Sequence, residues 1–240
     1  MNEAEWLACT DVTAMLTCLE GKVSPRKLRL FGVGCCTRVW HLLTDSRSRR
    51  AVKVAARFAD GEATERERAD AYLEARQVVE EVDTARRRSL ELNTTPMLQA
   101  AFAARNVVGP FRSASDLAAV TTAAARARRA ALVQSSFGKA LYDPGMTLAA
   151  GDTERAAHAT LLRDVVPPFS GCAPVPDGGG RVVQMIARAC YQERDFRSLP
   201  VLADALEDVG YTDPIVLAHC RGRGEHVRGC WVLDLLLGRK

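Results

Sequence analysis

Ser24-Pro25-Arg26-Lys27-Leu28-Arg29-Leu30-Phe31-Gly32-Val33-Gly34-Cys35-Cys36-Thr37-Arg38-Val39-Trp40-His41-Leu42 is the stretch that decides the fold. Ser24 is a good N-cap, and Pro25 suits the first helical position, where a missing N–H costs nothing. Leu28, Phe31, Cys35, Val39 and Leu42 recur at spacings of three and four, which puts them on one face of a helix. Upstream, Asp11 is placed to cap a helix holding Met15, Leu16 and Leu19, with Gly21 where a left-handed C-cap belongs. Asn2 can cap a shorter turn carrying Trp6 and Leu7.

The same punctuation continues downstream. Ser46 can start a helix with Val54, Ala55 and Phe58 inward and Gly61 beyond it. Thr64-Glu65-Arg66-Glu67 fits a capping box, in which hydroxyl and carboxylate each satisfy a free backbone N–H. A long charged helix follows, with Tyr72, Leu73, Val79, Val82 and Leu90 as its apolar stripe. Thr95-Pro96 opens another, through Ala104. Ser113 or Ser115 is placed to cap an Ala- and Arg-rich helix to about Gln134, whose large apolar residues lie only near its ends; it reads as weakly anchored or partner-facing. Asp143-Pro144-Gly145 reads as a turn, and Asp152 or Thr153 as the cap of a helix to Val165. Val166 to Gly180 then holds four prolines and four glycines and reads as a linker. Helices resume at Arg181, at Leu199-Pro200, at Thr212-Asp213-Pro214 and at about Glu225 to Leu237. Val182-Val183 is the best candidate for a short strand. The expected fold is all-α, a multi-helix array of helical hairpins. Residues 1–165 form its N-terminal domain, 166–180 a linker or loop, and 181–240 a small C-terminal helical subdomain that can pack on the first.

Composition sets outer bounds. A chain of 240 residues with 48% hydrophobic and 26% charged residues can bury a core and is not a disordered polymer. Net charge is only +4, and acidic residues interleave with the runs Arg86-Arg87-Arg88 and Arg126-Ala127-Arg128-Arg129. Nucleic-acid binding through these runs is therefore an alternative rather than the leading expectation. The N-terminus lacks an export signal, and no apolar run approaches the roughly 18 residues of a membrane span. A cytoplasmic location follows as an expectation, with the eight cysteines as reduced thiols.

Four groups of residues invite chemistry. His219, Cys220, His226 and Cys230 are zinc-ligand types, and His226 and Cys230 would share a face of one helix. Their pattern is not a usual zinc spacing, and adjacent helical residues such as His219 and Cys220 diverge by about 100°. No metal and no cofactor is expected on that ground, and the set stands as a weak candidate. Cys35-Cys36 near Trp40 and His41 suggests a nucleophile, but His41 is offset around the helix and Cys35 lies on the apolar stripe. Asp234, within Cys230-Trp231-Val232-Leu233-Asp234-Leu235-Leu236-Leu237, needs a partner such as Arg221, Arg228 or Arg38 if buried. Gly178-Gly179-Gly180-Arg181 lacks the residues of a phosphate loop. The polar cluster to locate is His219, His226, Arg228 and Asp234.

Glu3-Ala4-Glu5-Trp6-Leu7-Ala8-Cys9-Thr10, Arg26 to Phe31 with Cys35-Cys36 and Trp40-His41-Leu42-Leu43, and Leu199 to Asp208 with Ala218 to Arg221 and His226 to Trp231 resemble a family of uncharacterised bacterial proteins expanded in planctomycete genomes. The resemblance covers both ends of the chain and departs from the pattern between Val165 and Gly180. It implies a bacterial cytosolic setting and no mechanism. The leading expectation for function is a non-enzymatic interaction or scaffold module whose partner is another protein. A metal-binding or catalytic protein using the C-terminal His, Cys and Asp residues is the rival.

Overall fold

A computed structural model describes residues 1–89, 95–111, 113–114, 116–136, 144–169, 171–173, 175 and 180–239. Leu90, Ser115, Asp143 and Gly178-Gly179, named above, lie outside them. The fold is all-α, with twelve α-helices and no strand among the described residues. They are α1 Glu3–Ala8, α2 Val12–Cys18, α3 Pro25–Arg38, α4 Ser46–Ala59, α5 Glu65–Ser89, α6 Thr95–Val108, α7 Asp116–Ser136, α8 Pro144–Val165, α9 Gly180–Glu193, α10 Leu199–Asp208, α11 Pro214–Arg221 and α12 Trp231–Leu237. Val182 and Val183 belong to α9, not to a strand. Among the described residues no helix is long and apolar enough to cross a membrane. The chain forms two compact units, residues 9–159 and residues 1–8 with 160–240. The Pro/Gly-rich stretch lies within the second.

Capping chemistry explains where the helices begin. Asp11 Oδ1 accepts the N–H groups of Thr13 and Ala14 at 2.9 and 3.3 Å. Thr64 and Glu67 form the reciprocal box, with the Glu67 N–H on Thr64 Oγ1 at 3.1 Å and the Thr64 N–H on Glu67 Oε2 at 2.7 Å. Helix α4 starts at Ser46, as expected, and Asp45 is its N-cap, accepting the Arg47 N–H. Residues Asp152 and Thr153 cap nothing, because α8 already runs through them from Pro144, and Pro144 and Gly145 are helical rather than a turn.

In the unit of residues 9–159, sequential helices from α3 to α7 pack on one another, and α3 closes against α6 and α7. Residues Leu28 to Cys36 of α3 are buried without a break, so this helix is surrounded and not merely amphipathic. A Cβ on Gly32 would stand 2.9 Å from Leu117 Cδ2 and 3.0 Å from Val107 Cγ2, so a glycine is what allows the close approach. Contrary to the expected weak anchoring, α7 buries Leu117, Val120, Ala124 and Ala127 completely against its neighbours. Alanines hold it by letting backbones approach, a contact that a search for large apolar residues overlooks. In α5 the inward side is likewise Ala71, Ala75, Val78 and Val79, while Leu73 is exposed.

Two buried arginines close the C-terminal end of α6. Arg29 Nη1 donates to the carbonyls of Val107 and Gly109 at 2.8 and 3.0 Å, and Arg68 Nη1 donates to that of Val108 at 2.7 Å. These carbonyls have no partner within the helix, and the cations also meet the negative end of its dipole. The Arg29 guanidinium lies 4.3 Å from the Phe111 ring centroid and 5.2 Å from that of Phe58. Burial, then the charge of Arg68, lowers its pKa to about 10. A second buried charge, Glu154, takes Arg38 on both carboxylate oxygens at 2.7 and 3.0 Å and stands 3.2 Å from His158 Nε2. Burial alone would raise its pKa. The His158 and Arg38 interactions outweigh that and hold it at about 2.

In the other unit the core joins Val183, Cys190 and Tyr191 of α9, Leu199, Leu202 and Leu206 of α10, Val216 and Cys220 of α11, and Trp231, Leu233 and Leu236 of α12. Arg163 Nη2 donates to the Trp6 carbonyl at 2.8 Å, and the Trp6 ring meets Phe169 at 5.1 Å, tying α1 to this unit. The Ala173 segment is held from both sides. Its N–H reaches Asp213 Oδ2 at 2.6 Å, and its carbonyl takes the Tyr211 hydroxyl at 2.7 Å.

Replacing Arg29 by Met strands two buried carbonyls and is expected to destabilise the fold by about 2–4 kcal/mol. Arg66, almost fully exposed, is expected to change stability by less than about 0.5 kcal/mol when replaced by Ala. Urea unfolding measures both. Because Glu154 titrates lower in the fold than in the unfolded chain, its contribution is complete above the ordinary glutamate value of about 4.3 and is lost as pH falls toward 2. The stability difference between the protein and Glu154→Gln should therefore be constant from neutral pH to about pH 5 and shrink below it.

Candidate metal centre

Four side chains converge in the unit of residues 1–8 and 160–240. Asp164, His219, His226 and Cys230 each offer one donor atom, and the four atoms lie within 4.8 Å of one another. Asp164 stands in the last turn of α8 and His219 in the last turn of α11. Asp213 caps α11 through the N–H groups of Ile215 and Val216, and the helix stops at Gly222. The chain from 222 to 230 is not helical, which corrects the expected helix start at Glu225. Gly229, at φ +97°, turns the backbone in a left-handed conformation open to glycine, and Cys230 follows as the N-cap of α12. His226 and Cys230 thus approach from a loop and a cap, not from one helix face.

The hydrogen bonds define the protonation pattern. Asp164, 4% exposed, accepts the Val227 N–H on Oδ2 at 2.8 Å. Its Oδ1 stands 2.6 Å from His226 Nδ1 and 3.2 Å from His219 Nε2. Burial pushes this carboxyl up, but hydrogen bonds from His219 and His226 prevail and hold it below the ordinary range. His219 Nε2 is also 3.2 Å from Cys230 Sγ. The Trp231 indole N–H donates to His219 Nδ1 at 3.1 Å. An indole N–H can only donate, so Nδ1 is an acceptor and the imidazole proton sits on Nε2, facing Asp164 and Cys230. His226 Nε2 is buried without a hydrogen-bond partner. Burial, then the Asp164 charge, pushes the Cys230 thiol well up, opposed by the N–H groups of Leu233 and Val232.

The other sequence candidates go elsewhere. Cys220 is fully buried in the core, its pKa pushed up to about 12 by burial, and does not join the four. The Arg228 guanidinium lies 5.1 Å from the Tyr191 ring centroid. Asp234 is fully buried in α12, outside the converging group. Arg221 pairs with Asp204 and Glu207 on the surface rather than with Asp234. Cys35 and Cys36 are completely buried, and burial pushes both thiols up, which removes a nucleophile there. None of the eight cysteines forms a disulfide. Asp164 is the member that sequence reading missed. It lies 55 residues before His219, across the Pro/Gly-rich stretch, and its only signal was an acidic residue in a helix whose neighbours Leu161, Leu162 and Val165 are fully buried.

No family model matches the chain, and neither the curated proteins nor the solved structures give a match.

Asp164→Ala removes the acceptor shared by Val227, His219 and His226. Equilibrium unfolding followed by tryptophan emission should show a loss of about 2–4 kcal/mol. An unchanged midpoint would contradict the pairing described here.

Proposed function

We propose that this chain is a helical protein whose C-terminal unit binds a single zinc ion through Asp164, His219, His226 and Cys230. The observation that carries the reading is the convergence of these four donors within 4.8 Å, from three separate chain segments. A mixed oxygen, nitrogen and sulfur set suits zinc among the common cations, since magnesium and calcium prefer oxygen alone. Tetrahedral bonds of about 2.0–2.3 Å put ligand atoms roughly 3.3–3.5 Å apart. The two 3.2 Å separations at His219 Nε2 already match. The 2.6 Å contact between Asp164 and His226 is a hydrogen bond that would open by about 0.7 Å when a cation replaces the shared proton.

Four protein donors complete a tetrahedron and leave no place for substrate. The reading is therefore a structural metal clamping α8, α11 and α12 in a non-enzymatic module, in a reducing cytoplasm where Cys230 is not lost to oxidation. Binding must discharge the thiol proton and leave the His219 proton on Nδ1, where the Trp231 N–H now points. The indole must then give up its hydrogen bond. Zinc affinity should fall with falling pH, and zinc should shift Trp231 emission.

The Trp231 bond also favours a second reading, in which the carboxylate clasps its three donors and no metal enters. Equilibrium dialysis against zinc separates the two. The metal reading expects one bound zinc per chain, an emission change lost in Trp231→Phe, and affinity at least tenfold weaker in Cys230→Ser. A folded protein that takes up neither zinc nor cobalt would overturn it and leave the clasp.

A further inference from the structure

A cavity of about 250 Å³ opens in the unit of residues 9–159, between the start of α2, the middle of α7 and the middle of α8. Its wall includes Arg126, Arg129, Arg155, His158, Thr122 and Asp11. Asp11 is already engaged, capping α2 through two backbone N–H groups. Arg155 is paired with Asp152. Arg126 and Arg129 have no ion-pair partner among the described residues, although they face a space bounded by a helix that carries Glu154 and Asp152. Glu154 is spoken for by Arg38. His158 is completely buried, and its Nδ1 has no hydrogen-bond partner. A Cβ on Gly151 would stand 3.7 Å from both Arg129 Cδ and Arg155 Nη1, so the two arginine arms pass close over a glycine on α8.

Guanidinium groups without an ion-pair partner, set around a concave space that also has a buried, unsatisfied imidazole nitrogen, are placed to hold an anion. Arginine presents a planar fork of donors that matches an oxyanion, and a hydroxyl such as that of Thr122 adds one more donor. Asp152 already balances Arg155, so Arg126 and Arg129 stand against the single wall carboxylate of Asp11 and leave the wall net positive, which favours an anion. We infer that this cavity binds the phosphate group of a small phosphomonoester, with Arg126 and Arg129 as its principal donors and His158 at the buried end. The cavity takes a phosphate with a small attached group. A polymer would track an extended basic groove, whereas the neighbouring arginines are used internally: Arg128 stands 3.8 Å from Glu154.

Isothermal titration with inorganic phosphate and with ribose 5-phosphate tests this, with a single-stranded oligonucleotide as a third probe. Both small ligands should bind saturably at one site, the sugar phosphate more tightly. Arg126→Ala and Arg129→Ala should each weaken binding about tenfold, the effect of losing one charge-assisted contact. Both side chains are exposed, so the circular dichroism spectrum and thermal midpoint without ligand should not change. Arg87→Ala, on the exposed side of α5, should leave binding intact. No saturable binding of either small ligand at millimolar concentration would overturn the inference. So would tighter binding of the oligonucleotide than of ribose 5-phosphate, or equal weakening by Arg87→Ala.

Discussion

A carboxylate can lie 4% exposed only if donors surround it, and Asp164 meets that condition with a backbone N–H and two imidazoles. Two of these donors, His226 and the Val227 N–H, come from the segment between α11 and α12, and the third, His219, from the last turn of α11. The path of that segment is therefore fixed by one charge at the end of α8. Without it, a nine-residue loop holding three glycines would have little to define it. Trp231 extends the constraint inward, since its ring belongs to the core while its N–H holds His219. The core and the converging donors are thus one structure, and a change in the proton or cation at the centre is felt at an indole in the core.

The other unit follows the same rule with different residues. Arg29, Arg68 and Glu154 are buried charges, and each is satisfied by several partners: helix-end carbonyls for the arginines, a bidentate arginine for the glutamate. Alanine-rich packing makes this possible. Gly32 lets α3 approach Val107 of α6 and Leu117 of α7, and Arg29 of α3 and Arg68 of α5 reach across to carbonyls at the end of α6.

Local chemistry in the sequence carried the fold class well. Asp11, Ser24, Thr64 with Glu67, and Asp213 are caps because a short polar side chain beside a helix start has one favourable use, and that use needs no tertiary information. Periodicity was a poorer guide to depth. It found one face on α3, but the helix is surrounded, and it undervalued α7 because alanine scores as weakly apolar while permitting the closest packing. The metal candidates were half legible. His219, His226 and Cys230 were in view, but the unusual spacing and the divergence of adjacent His219 and Cys220 told against them, and the structure uses His219 without Cys220. The Gly222 to Gly229 loop frees His226 and Cys230 from helical spacing. Asp164 could not be found from spacing, because nothing local marks a contact 55 residues away.

If the four side chains share one cation, its coordination shell has a fixed composition. X-ray absorption at the zinc edge, on protein loaded with one equivalent, reads that shell directly. The account predicts one sulfur at about 2.3 Å and three nitrogen or oxygen neighbours at about 2.0–2.2 Å, with the sulfur lost in Cys230→Ser. A shell of nitrogen and oxygen alone in the unaltered protein, or one with two or more sulfurs, would contradict it.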